Sequence, residues 1–546
     1  MKKIKLITAL LLSTIALQLQ SQEQNYELKE TERLKDKLLE RNVGFEFIGK
    51  TKDSYYYMFL PFSQVFGFNS IGSNRAPYIG KYDYDMNLIK KVKTNIIADE
   101  KEREYRGVVY LNNTIYLITS FLNADHQKHY FFVQSINSST LEDNNDLRKI
   151  GEIDYSAYTK YKETSFNIEL SEDKSKVLIY TNILSRKGEI LNSKVDVFDD
   201  QFQLKWHKEN IGQGFAEGIF IAKEFKINNT GNVFVTGIHY KEDRPDGYLE
   251  FRASADYSKA TYFPKRPVYD YLMFYYYNNG KSSKMTTIKL PGKFIRELTV
   301  KPLGNNQAFC AGIYSKPEMV SPQGFYTFKY NPIKGSPTSV QQKEFKKGFV
   351  DSDFDEKTIK KFQKKADNEQ EWEPFEYQCN LIKKDNGEYV CIAERFLDGV
   401  IVTSNGKTTT RTPVFHYNDL LTFSLSKEGK IKRMDVINKT QHTVNYDLYS
   451  SYNYTEHGGK KYFVFSEFIK SESLFKEAQP KELVMVELNN SGDQKRTVLK
   501  TYPAKKLKDV LFMRKDTGFK LSENEIIFSV MTVNYKYYAF DKLTIK

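Results

Sequence analysis

Three aspartates stand at alternate positions in the run DSDFDE, Asp351, Asp353 and Asp355. Carboxylates at positions one, three and five are how an EF-hand loop presents oxygen ligands to calcium, with Gly sixth and a bidentate Glu twelfth. Those two places hold Glu356 and Phe362, so the standard loop fails. The sequence favours an acidic N-terminus for a helix over EKTIKKFQKK, where carboxylates meet the positive end of the helix dipole. No cofactor is expected; calcium is the one ion these residues would suit. Asp125, His126 and His129 hold the closest pair among the 7 histidines. Zinc needs a third ligand and a supporting shell, and NADHQKHY reads as a solvated loop between two strands.

Other catalytic signatures are missing. No G-x-S-x-G elbow occurs, which argues against a serine hydrolase domain. Glycoside cleavage needs two converging carboxylates, and none can be singled out among 69 acidic residues. Of the two tryptophans, Trp206 alternates with Phe202 and Leu204 and reads as core; Trp372, in the acidic NEQEWEPF, reads as exposed. Three cysteines are an odd number. Cys379 and Cys391 flank the KDNG turn, either near each other or on opposite faces, and Cys310 sits mid-strand in another unit. Buried thiols serving as small hydrophobes is the expected state.

The elements that would position any site are strands. From Phe166 to Asn210, apolar residues recur at every second place (Val177, Ile179; Val195, Val197; Phe202, Leu204, Trp206), in four runs separated by polar turns. Period two puts alternate side chains on one face of a strand, so the stretch predicts a four-stranded meander. The pattern returns along the chain. Second strands are predicted to begin near Tyr55, Ile115, Val177, Val233, Ala308, Tyr389, Tyr462 and Ile526, between 56 and 81 residues apart. Several follow a turn signal such as SEDKSK, NNTGN, KDNGE or EHGGK, and a second hairpin follows each. A single four-stranded sheet cannot bury both faces, whereas radial stacking covers each with its neighbour.

The expected fold is therefore all-β: a β-propeller of about eight, alternatively seven, four-stranded blades over residues 45–546. Two sandwich domains would require a linker, and no Pro/Gly/Ser-rich stretch supplies one. The units resemble those of bacterial exported β-propeller repeat proteins: GNVFVTG at 231–237 is similar to the turn and strand of one repeat family, and LSEDKSKVLIY at 170–180 to that of another. Each resemblance covers under a dozen residues and implies architecture, not activity. A short charged helix is expected over Tyr26–Asn42, within an N-terminal segment 22–44; in a seven-bladed ring with an incomplete first or last unit, closure would borrow a strand from about Phe45 to Ile48. Three units are long. Their insertions span 241–269, a charged loop dotted with aromatics; 346–374, with a helical pattern around Ile359 and Phe362; and 396–417, an extra hairpin.

Lys2, Lys3 and Lys5 precede the apolar run Leu6–Leu17, and Ser21 offers a small residue for cleavage. This matches a secretory signal over residues 1–21, too short for the roughly 20 apolar residues of a membrane span. No other segment is long and apolar enough to be one. The mature chain is expected to be exported, in the periplasm or at the cell surface, soluble or peripherally attached. Net charge is +13 from 82 basic and 69 acidic residues, which suits an anionic surface or glycan rather than nucleic acid. Aromatics make up 15% of the chain, with 39 Tyr and 39 Phe, ample for a strand-built core.

Two functions are consistent with this. The favoured one is a non-catalytic exported propeller, a scaffold binding an envelope or outer-membrane protein through its long loops, with Arg244, Arg252, Lys265, Arg266 and Trp372 as contact residues. The alternative is a carbohydrate-active enzyme, a glycoside hydrolase or lyase, with its acids at the central funnel.

Overall fold

The computed structural model describes residues 26–31, 43–61, 76–98, 101–156, 161–185, 190–212, 219–240, 249–252, 269–304, 306–317, 321–345, 376–404, 409–444, 449–468, 480–503, 510–514, 517–532 and 537–546, with single residues 158, 360, 364 and 447. Strand pairing divides them into eight antiparallel blades. The first strands of blades 1 to 7 are Val43–Lys50, Glu104–Leu111, Tyr161–Leu170, Ile219–Ile227, Phe294–Pro302, Glu376–Lys383 and Asn453–His457. In blade 8 the short pieces Leu511–Met513 and Phe519–Lys520 take that place. Neighbouring first strands touch one another from blade 1 through blade 6 and line the central channel. The second strands begin at Tyr55, Thr114, Lys176, Val233, Ala308, Tyr389, Lys460 and Glu525, each within two residues of the periodicity's expectation.

Why the aromatics are needed is visible between blades. Radial sheets diverge outward, and the widening wedge takes large rings that still pack at close-packed density. Tyr55, Tyr57, Phe59 and Tyr82 of blade 1 pack on Ile527, Met531 and Phe540 of blade 8. Phe325 of blade 5 stacks on Phe423 of blade 6 with ring centroids 3.6 Å apart. Trp206 is buried, and its indole N–H donates to the Gly231 carbonyl at 3.1 Å, so it caps the next blade's first turn. Leu204, expected on the same buried face, is exposed instead; the outermost strand Leu204–Lys208 is covered only at Trp206. Every blade's outermost strand carries Lys or Arg. Edge charges of this kind discourage strand addition by another chain.

Two expectations at the N-terminus are corrected. Tyr26–Glu30 is a strand, not the start of a helix: Tyr26 and Leu28 turn toward the core while Glu27 and Lys29 face out. It pairs antiparallel with the last strand, Tyr26 opposite Ile545 and Glu30 opposite Asp541, and so supplies the fourth strand of blade 8. Ring closure therefore uses residues 26–30, whereas Phe45–Ile48 belongs to the first strand of blade 1. Thr31 continues this pairing, its N–H donating to the Phe540 carbonyl at 2.9 Å; residues 32–42 of the expected helix, like the signal segment, lie outside the described residues. Among the described residues no helix is long and apolar enough to cross a membrane.

In a meander, turns alternate between the two ends of the sheet. The first-to-second connections span two to five residues, and the third-to-fourth ones four or five apart from 138–147. Every connection longer than ten residues leaves from the opposite end, among them 62–77, 241–268, 345–375 and 438–452. The ring thus has a turn face and a loop face. On the loop face two of the long insertions meet. Leu249–Arg252, from the blade 4 insertion, pairs in parallel with Gly399–Val402 of blade 6, past the intervening blade 5. The expected extra hairpin at 396–417 is an outward continuation of that blade's second and third strands, Tyr389–Ser404 and Thr409–Leu425.

Glycine is required where the second strand passes the bulged first strand. A Cβ on Gly312 would lie 1.9 Å from the Glu297 carbonyl oxygen and 2.8 Å from the Tyr326 hydroxyl, which donates to that carbonyl at 2.9 Å. Gly312→Ala is expected to cost about 3 kcal/mol by overpacking and loss of this bond. Gly304→Ala, with open space around it, should change stability by less than about 0.5 kcal/mol. Urea denaturation of both variants checks the contrast.

Candidate functional site

The first strands carry a recurring irregularity. In blades 1 to 5 the pairing with the second strand skips one residue: Ile48, Arg106, Lys162, Lys223 and Arg296. A bulge bends a strand at a sheet edge, and in blades 2 to 5 the skipped residue is basic. In blades 3 to 5 a glutamate follows at once: Glu163, Glu224 and Glu297.

Glu224 reaches from blade 4 to blade 5, where the Val300 backbone N–H donates to Oε2 at 2.9 Å and the Thr299 hydroxyl to Oε1 at 3.2 Å. It thereby satisfies an N–H on the neighbouring innermost strand. Burial pushes its pKa up to about 7, against the pull of Lys226. Burial likewise raises Glu297 to about 8, with Lys223 opposing and Glu376 reinforcing. Burial works against the charge of Lys226, but Glu169, at 2.7 Å, and Glu224, at 3.7 Å, outweigh it and hold the amine above the usual lysine range.

Below the bulges the channel widens into a cavity of about 1080 Å³, bounded by the first strands of blades 3 to 7 and their turns, with Gly518 of blade 8. The Glu169–Lys226–Glu224 cluster forms one part of its wall. Toward the turn face Lys383 of blade 6 pairs with Glu172 of blade 3 at 2.8 Å, bridging the channel between blades that are not neighbours.

Another part of the wall is a buried polar network. Ser451 holds a left-handed backbone, φ 65°, a conformation that costs a non-glycine residue free energy unless its surroundings fix it. The Gln441 side chain fixes it: Oε1 accepts from the Ser451 N–H at 2.6 Å and Nε2 donates to the Ser451 carbonyl at 3.2 Å. The serine hydroxyl donates to Glu394 Oε2 at 2.6 Å, and Lys439 Nζ lies 2.7 Å from Oε1. Next to Glu394, Arg395 pairs with Asp419 at 3.0 Å, both side chains almost wholly buried.

Of the residues singled out from sequence, Asp351, Asp353, Asp355, Arg244, Lys265, Arg266 and Trp372 lie outside the described residues. Arg252 lies in the strand that pairs with blade 6. Of the segment 346–374 only Lys360 and Lys364 are described, both helical. His129 is corrected: it is buried in the third strand of blade 2, not solvated. Its ring stacks on Phe131 at 4.9 Å, and Nε2 faces the Arg106 guanidinium at 3.4 Å. Burial and that guanidinium push its pKa down to about 3. His126 is exposed, so the pair does not converge. Among the described residues no group of three or more His, Cys, Asp or Glu could hold a metal ion. The cysteines are free thiols, with Cys310 and Cys391 buried. Cys379 stands opposite Ala393 and Cys391 opposite Leu381, a diagonal that brings the two thiols into hydrogen-bond contact.

No family model matches the chain, and no curated protein matches its sequence. Solved structures similar to it include an acylaminoacyl peptidase from Pyrococcus horikoshii, at 9% identity and TM-score 0.29, covering 79% of this chain and 57% of that one. The polysaccharide lyase Uly1 is similar at 7% identity and TM-score 0.35, over 83% and 94% of the two chains. The β-propeller domain of the Trilobed protease from Pyrococcus furiosus is similar at 7% identity and TM-score 0.31, over 81% and 93%. Likeness this distant assigns no activity, and the eight-bladed architecture rests on the strand pairing itself.

Proposed function

We propose that this protein is a non-catalytic exported propeller that holds a partner protein of the bacterial envelope through its loop face. The observation that carries this reading is the segregation of the connections. Every one longer than ten residues leaves from one end of the ring, and the insertions of blades 4 and 6 join there through Leu249–Arg252. Long loops held by a rigid scaffold are where binding residues concentrate. The N-terminal run of lysines and leucines supports export to the periplasm or cell surface. The contact residues we propose are Arg252, in the strand that joins the two insertions, and Arg244, Lys265, Arg266 and Trp372, which belong in sequence to the segments 241–269 and 346–374.

The channel acids support the same conclusion. Glycoside cleavage uses two carboxyl groups free to meet substrate and water. Glu169 is held by Lys226, Glu172 by Lys383 and Glu394 by Lys439, each within 2.8 Å. Glu224 is spent on the neighbouring strand's N–H.

The test uses protein tagged at its C-terminus and recovered from membranes in mild detergent, beside a variant lacking residues 243–266. A single stoichiometric partner that rebinds from purified components, and is lost in a variant with unchanged melting temperature, is the expected result. A lone monomer that degrades polysaccharide would overturn the proposal. Unchanged partner binding by the folded deletion variant would dismiss that insertion as the contact.

A further inference from the structure

We infer that the cavity on the turn side of the channel is a binding site for a short neutral oligosaccharide. Its volume, about 1080 Å³, lies just above the range of small-ligand sites, roughly 300–1,000 Å³. What selects the ligand class is the state of the charges around it. Lys226 is held by Glu169 and Glu224, Lys383 by Glu172, and Glu394 by Lys439. The two remaining charged liners, Asp173 and Lys301, are of opposite sign. With Lys439 these make five carboxylates against four lysines, and Glu224, the odd one, is committed to the Val300 N–H and the Thr299 hydroxyl, so an anion finds no surplus of positive charge and a cation would have to displace one of these pairs. A neutral ligand rich in hydroxyl groups has no such cost.

The cavity also offers open hydrogen-bonding groups. Along Glu376–Lys383, Tyr377 and Leu381 are buried against blade 5, whereas Gln378 and Asn380 are exposed on the cavity wall. Neither amide has a hydrogen-bond partner among the described residues. Each carries two N–H donors and a carbonyl with two lone pairs, a complement to the adjacent hydroxyls of a sugar ring. Two amides at i and i+2 on one strand face stand roughly 7 Å apart, which spreads the contacts along more than one residue of a saccharide. Tyr452 and Tyr454, half-buried on the blade 7 side of the same cavity, supply aromatic surface for the sugar's C–H face. The ligand is held and not cut, because four of the five lining carboxylates lie against lysines and Asp173 accepts from the Ser171 hydroxyl and the Ser175 N–H.

The proposal is tested by calorimetric titration of the full mature chain with cellotetraose, chitotetraose and maltotetraose, with trigalacturonate and tetralysine as charged counterparts. The expected result is that at least one neutral tetrasaccharide binds with a sub-millimolar Kd and is recovered intact. Gln378→Leu/Asn380→Leu should then weaken binding by about tenfold or more, the loss of one to two hydrogen bonds, with an unchanged melting temperature. Asn380→Ala, which adds no apolar bulk, should weaken it in the same direction and guards against a folding defect in the double variant. Absence of binding by all three neutral sugars, binding of a charged counterpart alone, or wild-type affinity in both variants would overturn the inference.

Discussion

Replacing Asp419 by alanine should lower the unfolding free energy by about 3–5 kcal/mol, the range for removing one partner of a buried ion pair. Its carboxylate meets the Arg395 guanidinium at 3.0 Å and also accepts from the Lys439 backbone N–H at 3.1 Å. Arg395 occupies the bulge between the second and third strands of blade 6, with a relative exposure of 1%. The alanine variant therefore buries a guanidinium without that carboxylate. Arg395→Met with Asp419→Leu removes both charges and is expected to recover most of the loss, since well-packed apolar replacements of buried pairs are often neutral. Denaturation midpoints of wild type, single and double variants form the measurement. A single variant costing under about 1 kcal/mol would show that the pair is not sealed from water.

The second large effect is pH dependence at the seam that closes the ring. Asp541, opposite Glu30, is 1% exposed, and burial pushes its pKa up to about 7, with Lys500 opposing and Glu30 reinforcing. In the unfolded chain an aspartate ionises near pH 4. Between about pH 4 and 7 the folded state keeps a proton that the unfolded state has lost, so this group's contribution falls as pH rises, and is level above. Asp541→Asn cannot ionise. Its stability relative to wild type should therefore rise from pH 4 to a plateau above pH 7, by about 4 kcal/mol at most. His129 acts on the acid side: it stays neutral when folded, with its pKa near 3, so stability falls as pH drops below about 6.5, where the unfolded histidine takes up a proton. Melting curves of both proteins at pH 5, 7 and 8 decide the matter. Parallel curves would sink the assignment.

The strands were legible because their signal is local. Val177, Ile179, Val195 and Val197 are spaced by the pleat and bounded by polar turns, and the second strands begin where that alternation places them. What escaped depends on partners far away in the chain. Tyr26–Glu30 runs straight into residues with helical leucine spacing, and only its pairing with Asp541–Ile545 marks it as a strand. Arg106, Lys162, Lys223 and Arg296 look unrelated along the chain; they are equivalent only once each first strand is set against its second. The closeness of Cys379 and Cys391 follows from a register fixed by Lys383 opposite Tyr389. His129 sits in a run of polar residues that reads as a loop, yet the strand begins at Lys128. Ser451 and Gln441 had no sequence signal, since a left-handed serine is defined by its clamp.

Tyr26 and Lys546 both emerge at the turn face, because the closing strand starts where the last one ends. A handle fused after Lys546 therefore attaches to the back of the plate. The ring then hangs with its decorated side outward, free to meet a visitor. A sensor chip loaded through a C-terminal tag should consequently leave that side uncovered, while blocking access to the short turns.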